Sequence, residues 1–399
     1  RGCFSNVERA LKHCILFDVA NNKEIMNVLS EIHLLSNKNT DQDFASLMIN
    51  DSEVDKKPNG KSIVLAIESS CDETAVAVVQ GGSKVLSSEI ASQTEMHKIY
   101  GGVVPEIASR KHIEVVEGLT SVALQNAGIS RNDIDAVAVT FAPGLIGALL
   151  VGLNYAKGIA LSLNVPLIPV HHIRAHIASN YLVHEGLKPP FIGLVASGGH
   201  TLLLAVDDYT EYRVIGSTRD DAAGEAFDKA ARALGFGYPG GSVLDKLSSD
   251  GSFDAYPLPR AKVDGNPYDM SFSGLKTAII NLIHNSKQKG IEIDIPGLAA
   301  SICMAVSDTI VPRAVAACKE YNYSKLCVAG GVSANSVLRS ELYRQTTEAN
   351  IELFVPPISL CGDNAAMIGS QAYFEWMSGN IADMGLNAFA TLPAEIGRA

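Results

Sequence analysis

Phe191-Ile-Gly-Leu-Val195, Ala196-Ser197-Gly198-Gly199-His200-Thr201, Leu202-Leu-Leu-Ala-Val206 reads as an apolar strand, a tip of small polar residues and a second apolar strand. The same pattern stands earlier. Ile63-Val-Leu-Ala-Ile67 is followed by Glu68-Ser-Ser70-Cys-Asp72-Glu73-Thr74 and then by Ala75-Val-Ala-Val-Val79. A hairpin repeated at the head of each half predicts two related α/β units. After the first hairpin come a helix over 103–126, a strand from Asp135 to Phe141, a helix from Leu145 to Leu163 and a short strand Leu167–Val170, a βαβ unit. After the second come helices near 220–234 and from about Ser242, a long helix over 293–320, a strand Lys325–Ala329, a helix, a strand Glu352–Pro357 and a final helix past Trp376.

Composition agrees with layered α/β structure. The 399 residues suit two or three domains, 47% are hydrophobic, aromatics are only 6%, and there are 34 glycines. No apolar run reaches about 18 residues without a polar or charged interruption, so no membrane span is predicted. The seven cysteines form no C-x-x-C pair, which points away from a disulfide framework and toward a reducing compartment. Net charge is -11. Residues 1–61 hold 8 Lys/Arg and 9 Asp/Glu, a difference of -1, so the remainder carries -10. A chain that grips phosphates over a wide face is usually basic. Residues 1–60 read as an appendage: an amphipathic helix from Val7 to about Leu35, then a polar linker too acidic for a transit peptide. The chain begins with Arg rather than Met, which leaves room for an earlier natural start.

The chemistry-bearing stretch is His171-His172-Ile-Arg174-Ala-His176. On a helix, His172 and His176 share one face and can bind a metal through neutral ring nitrogens. Asp363, in Cys361-Gly-Asp-Asn364, is the best downstream candidate for a third ligand. A zinc protease would need Glu directly after the first histidine, where Ile173 stands, so that class is disfavoured. Asp72 and Glu73 at the first hairpin tip either orient a reacting group or form a solvated turn. The Ser197-Gly198-Gly199 tip either brings backbone N–H groups to an anion or is a plain turn. Asp228 either holds a ribose diol or is a helix-surface charge. Gly330-Gly331, between strand and helix, marks a usual place for a nucleotide but not a Rossmann fingerprint.

Taken together and in order, these stretches resemble the tRNA N6-adenosine threonylcarbamoyltransferase (TsaD) family, formerly described as O-sialoglycoprotein endopeptidases. The motifs are Ile67–Thr74, His172–His176, Ser197–Thr201, Asp220–Lys229, Tyr238–Gly241, Gly330–Asn335 and Gly362–Met367, and the resemblance spans about residues 62–393. His200 and the Asp220–Lys229 stretch are similar to the bacterial and organellar branch. The resemblance implies an actin/hexokinase/Hsp70-like (ASKHA) two-lobed α/β fold with duplicated sheet-plus-helix halves around a cleft. The first lobe would run over 62–190 and the second over 191–399, with the C-terminal helix able to pack back on the first. It implies that His172, His176 and Asp363 hold one divalent metal, iron(II) before zinc(II) or magnesium(II). It further implies that Val195, Ala196, Ser197, Gly198, Gly199, Asp228, Gly241, Asp245 and Asn335 bind substrate, and that Asp72, with Glu73 beside it, serves catalysis. The implied reaction moves threonylcarbamoyl from threonylcarbamoyl-AMP to N6 of the adenosine 3′ of the anticodon in tRNAs reading ANN codons, releasing AMP. Implied partners are tRNA, an upstream threonylcarbamoyl-AMP synthase, and either an inert TsaB-type paralogue with a small TsaE-type ATPase or a second copy of the chain. No membrane is implied; the expected compartment is the cytoplasm, with the mitochondrial or plastid matrix as the alternative. Competing readings on the same superfold are an ATP- and Mg(II)-dependent sugar or acetate-type kinase and a non-catalytic nucleotide-binding scaffold.

Overall fold

A computed structural model describes residues 57–396. The amphipathic helix expected over Val7–Leu35 lies outside the described residues. Ten strands and ten α-helices follow among the described residues. The first half contains β1 (Ile63–Glu68), β2 (Glu73–Gln80), β3 (Lys84–Ser92), α1 (Thr94–Lys98), α2 (Pro105–Ala127), β4 (Ala136–Ala142), α3 (Ile146–Leu163), β5 (Leu167–His171) and α4 (His172–Ala178). The second contains β6 (Phe191–Ala196), β7 (Thr201–Asp208), β8 (Glu211–Ser217), α5 (Ala223–Ala233), α6 (Gly240–Ser248), α7 (Ser273–Lys289), α8 (Ile295–Glu320), β9 (Lys325–Ala329), α9 (Ser336–Glu348), β10 (Glu352–Phe354) and α10 (Ala365–Met377).

The two sheets share one topology. Their orders are β3-β2-β1-β4-β5 and β8-β7-β6-β9-β10. In each, the leading hairpin is antiparallel and its first strand pairs in parallel with the next strand inward. The repeated hairpins are therefore β1–β2 and β6–β7, and the duplication expected from sequence is present. Central strands are buried on both faces: every residue of β4 and β6 is buried, as near-continuous apolar runs require. Helices α2 and α3 cover one face of the first sheet, through Leu124, Leu149 and Leu153 against Leu65, Ile67 and Val139. Helices α5, α8 and α9 cover the corresponding face of the second, around Ile192, Leu194 and Ala196.

The other faces are covered by exchange. Helix α4 follows the last strand of the first half, yet Ile173 and Ile177 pack on Val195, Leu204 and Val206 of the second sheet. Helix α10 follows the last strand of the second half, yet Met367, Ile368 and Trp376 pack on Val64, Ala66 and Val79 of the first. Each of these large side chains is at most 4% exposed, and burial of that kind contributes about 1.5–3 kcal/mol per side chain. By length and mean hydropathy α3 and α8 reach the range of membrane spans, although Asn154 and Lys157 interrupt the first and Asp308 and Arg313 the second. Both are layers of this α/β core: the qualifying window of α8 is 72% buried, and α3, 39% buried, lies on the first sheet.

Candidate functional site

The first hairpin tip is folded inward rather than solvated. Asp72 is only 8% exposed, and its carbonyl accepts from Gln93 N at 3.0 Å. Gly152 of α3 makes room for the tip, since a Cβ there would sit 2.3 Å from Ser69 Oγ. His112 of α2 braces it from below: Nδ1 accepts from the Thr74 hydroxyl at 2.7 Å and Nε2 donates to Cys71 O at 2.9 Å. Burial lowers the His112 pKa, consistent with this neutral bridging form. Glu73 opens β2; its Oε1 accepts from Ser92 Oγ at 2.9 Å, while Oε2 is buried without a partner. Burial raises Glu73 to about 7.

The histidine stretch forms the seven-residue helix α4. His171 is its cap: Nδ1 accepts from Ile173 N at 3.2 Å, and Nε2 donates to Leu392 O at 3.1 Å. Burial holds His171 down at about 3, so it serves structure as a neutral ring. His172 and His176 face inward one turn apart, with ring centroids 4.6 Å from each other. Asp363 arrives just ahead of α10, whose cap Asn364 accepts from Met367 N at 2.9 Å. Asp363 Oδ1 stands 3.5 Å from His172 Nε2 and 3.3 Å from His176 Nε2. One donor atom from each residue falls within 4.8 Å of the others.

Electrostatics at this cluster are strongly coupled. Burial alone would lower His172, but the carboxylates of Asp363 and Glu68 raise it to about 9. Burial alone would raise Asp363, but His172 and His176 hold it far below the usual carboxylate range. His200, at the second hairpin tip, is pushed down to about 4 by burial and by repulsion from His172 and His176. His176 is fully buried, and neither ring nitrogen makes a hydrogen bond. Two imidazoles and a carboxylate with converging, under-bonded donor atoms fit a divalent cation.

On the opposite lobe, the second tip is a tight turn: Ser197 N donates to His200 O at 2.7 Å, and His200 N donates to Ser197 Oγ at 3.2 Å. A Cβ at Gly198 or Gly199 would meet nothing within 4 Å, so the tip's backbone is open to a ligand. Gly330, at φ +92, lies so close behind Ala196 that a Cβ would stand 2.4 Å from its carbonyl oxygen. Val195 and Ala196 are strand residues that lead into this tip.

The remaining expected substrate residues already hold elements in place. Asp228 Oδ1 accepts from Gly240 N at 2.7 Å, at the start of α6, and burial raises its pKa. Gly241 follows in that same first turn. Asp245 Oδ1 accepts from Ser336 N and Ser336 Oγ, each at 2.8 Å, tying α6 to α9. Asn335 caps α9 by accepting from Leu338 N at 2.9 Å and reaches Cys303 Sγ at 3.4 Å.

Some participants carry no role in the sequence reading. Tyr238 donates its hydroxyl to Asp72 Oδ2 at 3.3 Å, from second lobe to first. Glu68, the last residue of β1, sits behind His172. The one sequence signal for Glu68 is an acid ending an otherwise apolar strand.

The model of the tRNA N6-adenosine threonylcarbamoyltransferase (TsaD) family matches residues 84–370. A tRNA N6-adenosine threonylcarbamoyltransferase of Clostridium perfringens strain 13 is 52% identical over 328 residues, 82% of this chain and 97% of its own length. One from Clostridium botulinum strain Kyoto is 51% identical over 329 residues, again 82% and 97%. Among solved structures, full-length HypF in its phosphate- and nucleotide-bound form superposes with TM-score 0.53 at 18% identity, covering 83% of this chain and 47% of that one. HypF of T. kodakarensis gives 0.51 at 14% identity, covering 83% and 48%. At such identities the likeness is one of fold, and it is the ASKHA type. On the strength of the family model and of these relatives, the chain belongs to the tRNA N6-adenosine threonylcarbamoyltransferases, a family of enzymes that transfer an acyl group.

Proposed function

We propose that the chain transfers the threonylcarbamoyl group of threonylcarbamoyl-AMP to N6 of the adenosine 3′ of the anticodon in tRNAs reading ANN codons, with a divalent metal held by His172, His176 and Asp363. The observation that carries this reading is the convergence of both Nε2 atoms on Asp363 Oδ1. Iron(II), or alternatively zinc(II) or magnesium(II), would supply Lewis-acid polarisation of the threonylcarbamoyl oxygens when bound.

The chain's own groups account for the rest. At the Ser197–Gly199 tip, the exposed backbone N–H groups of Gly198 and Gly199, with Gly330 and Gly331 behind them, cradle the AMP phosphate. Asp228, Gly241, Asp245 and Asn335 bound the nucleoside end. An exocyclic adenine amine is a weak nucleophile, so its proton has to leave as the bond forms. Asp72 takes that proton while N6 bonds to the carbamoyl carbon; the carbon–oxygen bond to phosphate breaks and AMP departs. Tyr238, donating to Asp72 Oδ2, holds the carboxylate in place for this task. Glu73, half-buried beside Asp72 and raised to about 7, adds a second titratable carboxyl to the tip. With a charge of -11, tRNA contact is shared either with a TsaB-type paralogue and a TsaE-type ATPase or with a second copy of the chain.

The test is reconstitution: purified chain, a threonylcarbamoyl-AMP synthase and tRNA, with and without helper proteins, read by nucleoside mass spectrometry. Modified adenosine is expected from wild type. A combined His172→Ala and His176→Ala variant is expected to lose both bound metal and product. Unchanged metal content in that variant would remove the ligand assignment; absence of product under all helper conditions would remove the reaction.

A further inference from the structure

Glu68 is fully buried at the end of the central strand β1. A carboxylate in such a place is costly unless donors surround it. Ser70 N donates to Oε1, and the Thr140 hydroxyl of β4 donates to Oε2. The third neighbour is His172, whose Nδ1 lies 3.2 Å from Oε2. Ser70 Oγ is 3.3 Å from the same ring nitrogen, but a hydroxyl can rotate to either role. An ionised carboxylate can only accept, so it requires the proton on Nδ1. In the neutral ring that binds a metal, Nε2, on the far side, then holds the lone pair, facing Asp363. His176 has no such partner at its Nδ1.

We propose that Glu68 is a positioning residue for the metal centre: its carboxylate fixes the His172 ring with the proton on Nδ1 and presents Nε2 to a divalent cation. The inference rests on the metal reading above. Outer carboxylates of this kind orient the ligand ring and raise its basicity, and their loss typically weakens metal binding by about 10–100-fold.

The probe is zinc(II) alone, competed against a chromophoric chelator on the full chain. In Glu68→Gln, one amide orientation turns an NH2 toward Nδ1 and drives the ring proton to Nε2; the other turns it against Ser70 N–H. Zinc affinity is expected to fall about 10–100-fold, with an unchanged thermal transition. Thr140→Val removes a donor without touching the ring and is expected to bind zinc like wild type. An equal loss there would mean that general damage around the buried carboxylate sets the affinity, and would overturn the proposal. Because Glu68→Gln could fail to fold, a second measurement uses zinc-loaded wild type labelled with 15N-histidine. His172 is expected to carry its proton on Nδ1 and zinc on Nε2; the reverse overturns the proposal without any variant. If the His172→Ala, His176→Ala variant keeps its zinc, the metal reading falls and this inference with it. If that variant loses zinc while folded Glu68→Gln binds it as wild type does, only the role of Glu68 falls.

Discussion

On the proposed reading, transfer chemistry concentrates on Asp72, which is buried at the first hairpin tip and accepts from Tyr238 of the second half. Asp72→Asn keeps shape and an acceptor oxygen but cannot take a proton. The expected outcome is a single-turnover rate lower by about 10²–10⁴-fold, with AMP affinity and the thermal transition unchanged. A wild-type rate would reduce the tip to a structural turn. Glu73 gives a separate, pH-dependent prediction. Its folded pKa is raised by burial from the ordinary 4.5 to about 7. The folded state therefore binds a proton more tightly than the unfolded chain, so stability falls as pH rises from about 4.5 to 7 and stays lower above that. Glu73→Gln should raise Tm at pH 8 by about 1–3 °C, discounted for partial exposure, and leave it unchanged near pH 4. Calorimetry at both pH values checks the sign.

Among elements, those with strong internal patterning were legible and those defined by distant neighbours were not. The apolar runs of β1, β6 and β9 announce buried strands, and the i,i+4 spacing of the histidines places both on one face of the helix that the structure shows. Strand β3, Lys84–Ser92, gives no comparable signal: it is a sheet edge of mixed polar and apolar residues, with Lys84, Val85, Ser88, Ile90 and Ser92 open to solvent. Strand β8 is the matching edge of the second sheet; the exposed Glu211 and Arg213 break up its apolar residues, and no short apolar run marks it. Glu68 and Tyr238 were hidden differently, since their partners lie 104 and 166 positions away in sequence. Arg174 belongs to this group as well. Nothing in the histidine stretch marks it for burial, yet it is 2% exposed. It donates to Ala394 O at 2.8 Å, Thr210 O at 3.0 Å and Glu395 O at 2.9 Å, and pairs with Glu375 Oε1 at 3.3 Å. It thus joins α4, α10 and the C-terminal segment. Arg174→Met should destabilise by about 3–5 kcal/mol, because Glu375 is left buried and unpaired. Denaturant unfolding measures this, and a loss under about 1 kcal/mol would mean that Gln371 and Asn380 suffice for Glu375.

For the molecule as a whole, the family pattern and the relatives account for the chain beyond the first 60 or so residues. The family model starts at residue 84, and Clostridium relatives cover 82% of the chain. Deleting residues 1–56 is expected to leave metal content and transfer within about twofold of wild type, a difference of under 0.5 kcal/mol in ΔG‡. Insoluble product on deletion would make that segment part of the fold. The acidic balance, set against an RNA substrate, makes the reconstitution with and without helpers the deciding measurement for partners.

The crossed placement of α4 and α10 has a mechanical corollary. The strap from Leu182 to Pro190 is the covalent path from β5 and α4 to β6, and Val183, Glu185, Gly186 and Lys188 on it are exposed. Severing it at Glu185 would give two fragments, each clasped by a helix belonging to the other. Such a nicked enzyme should run as one particle in native chromatography and as two bands only in detergent, because the grip between its pieces is knotted through packing rather than through the peptide bond.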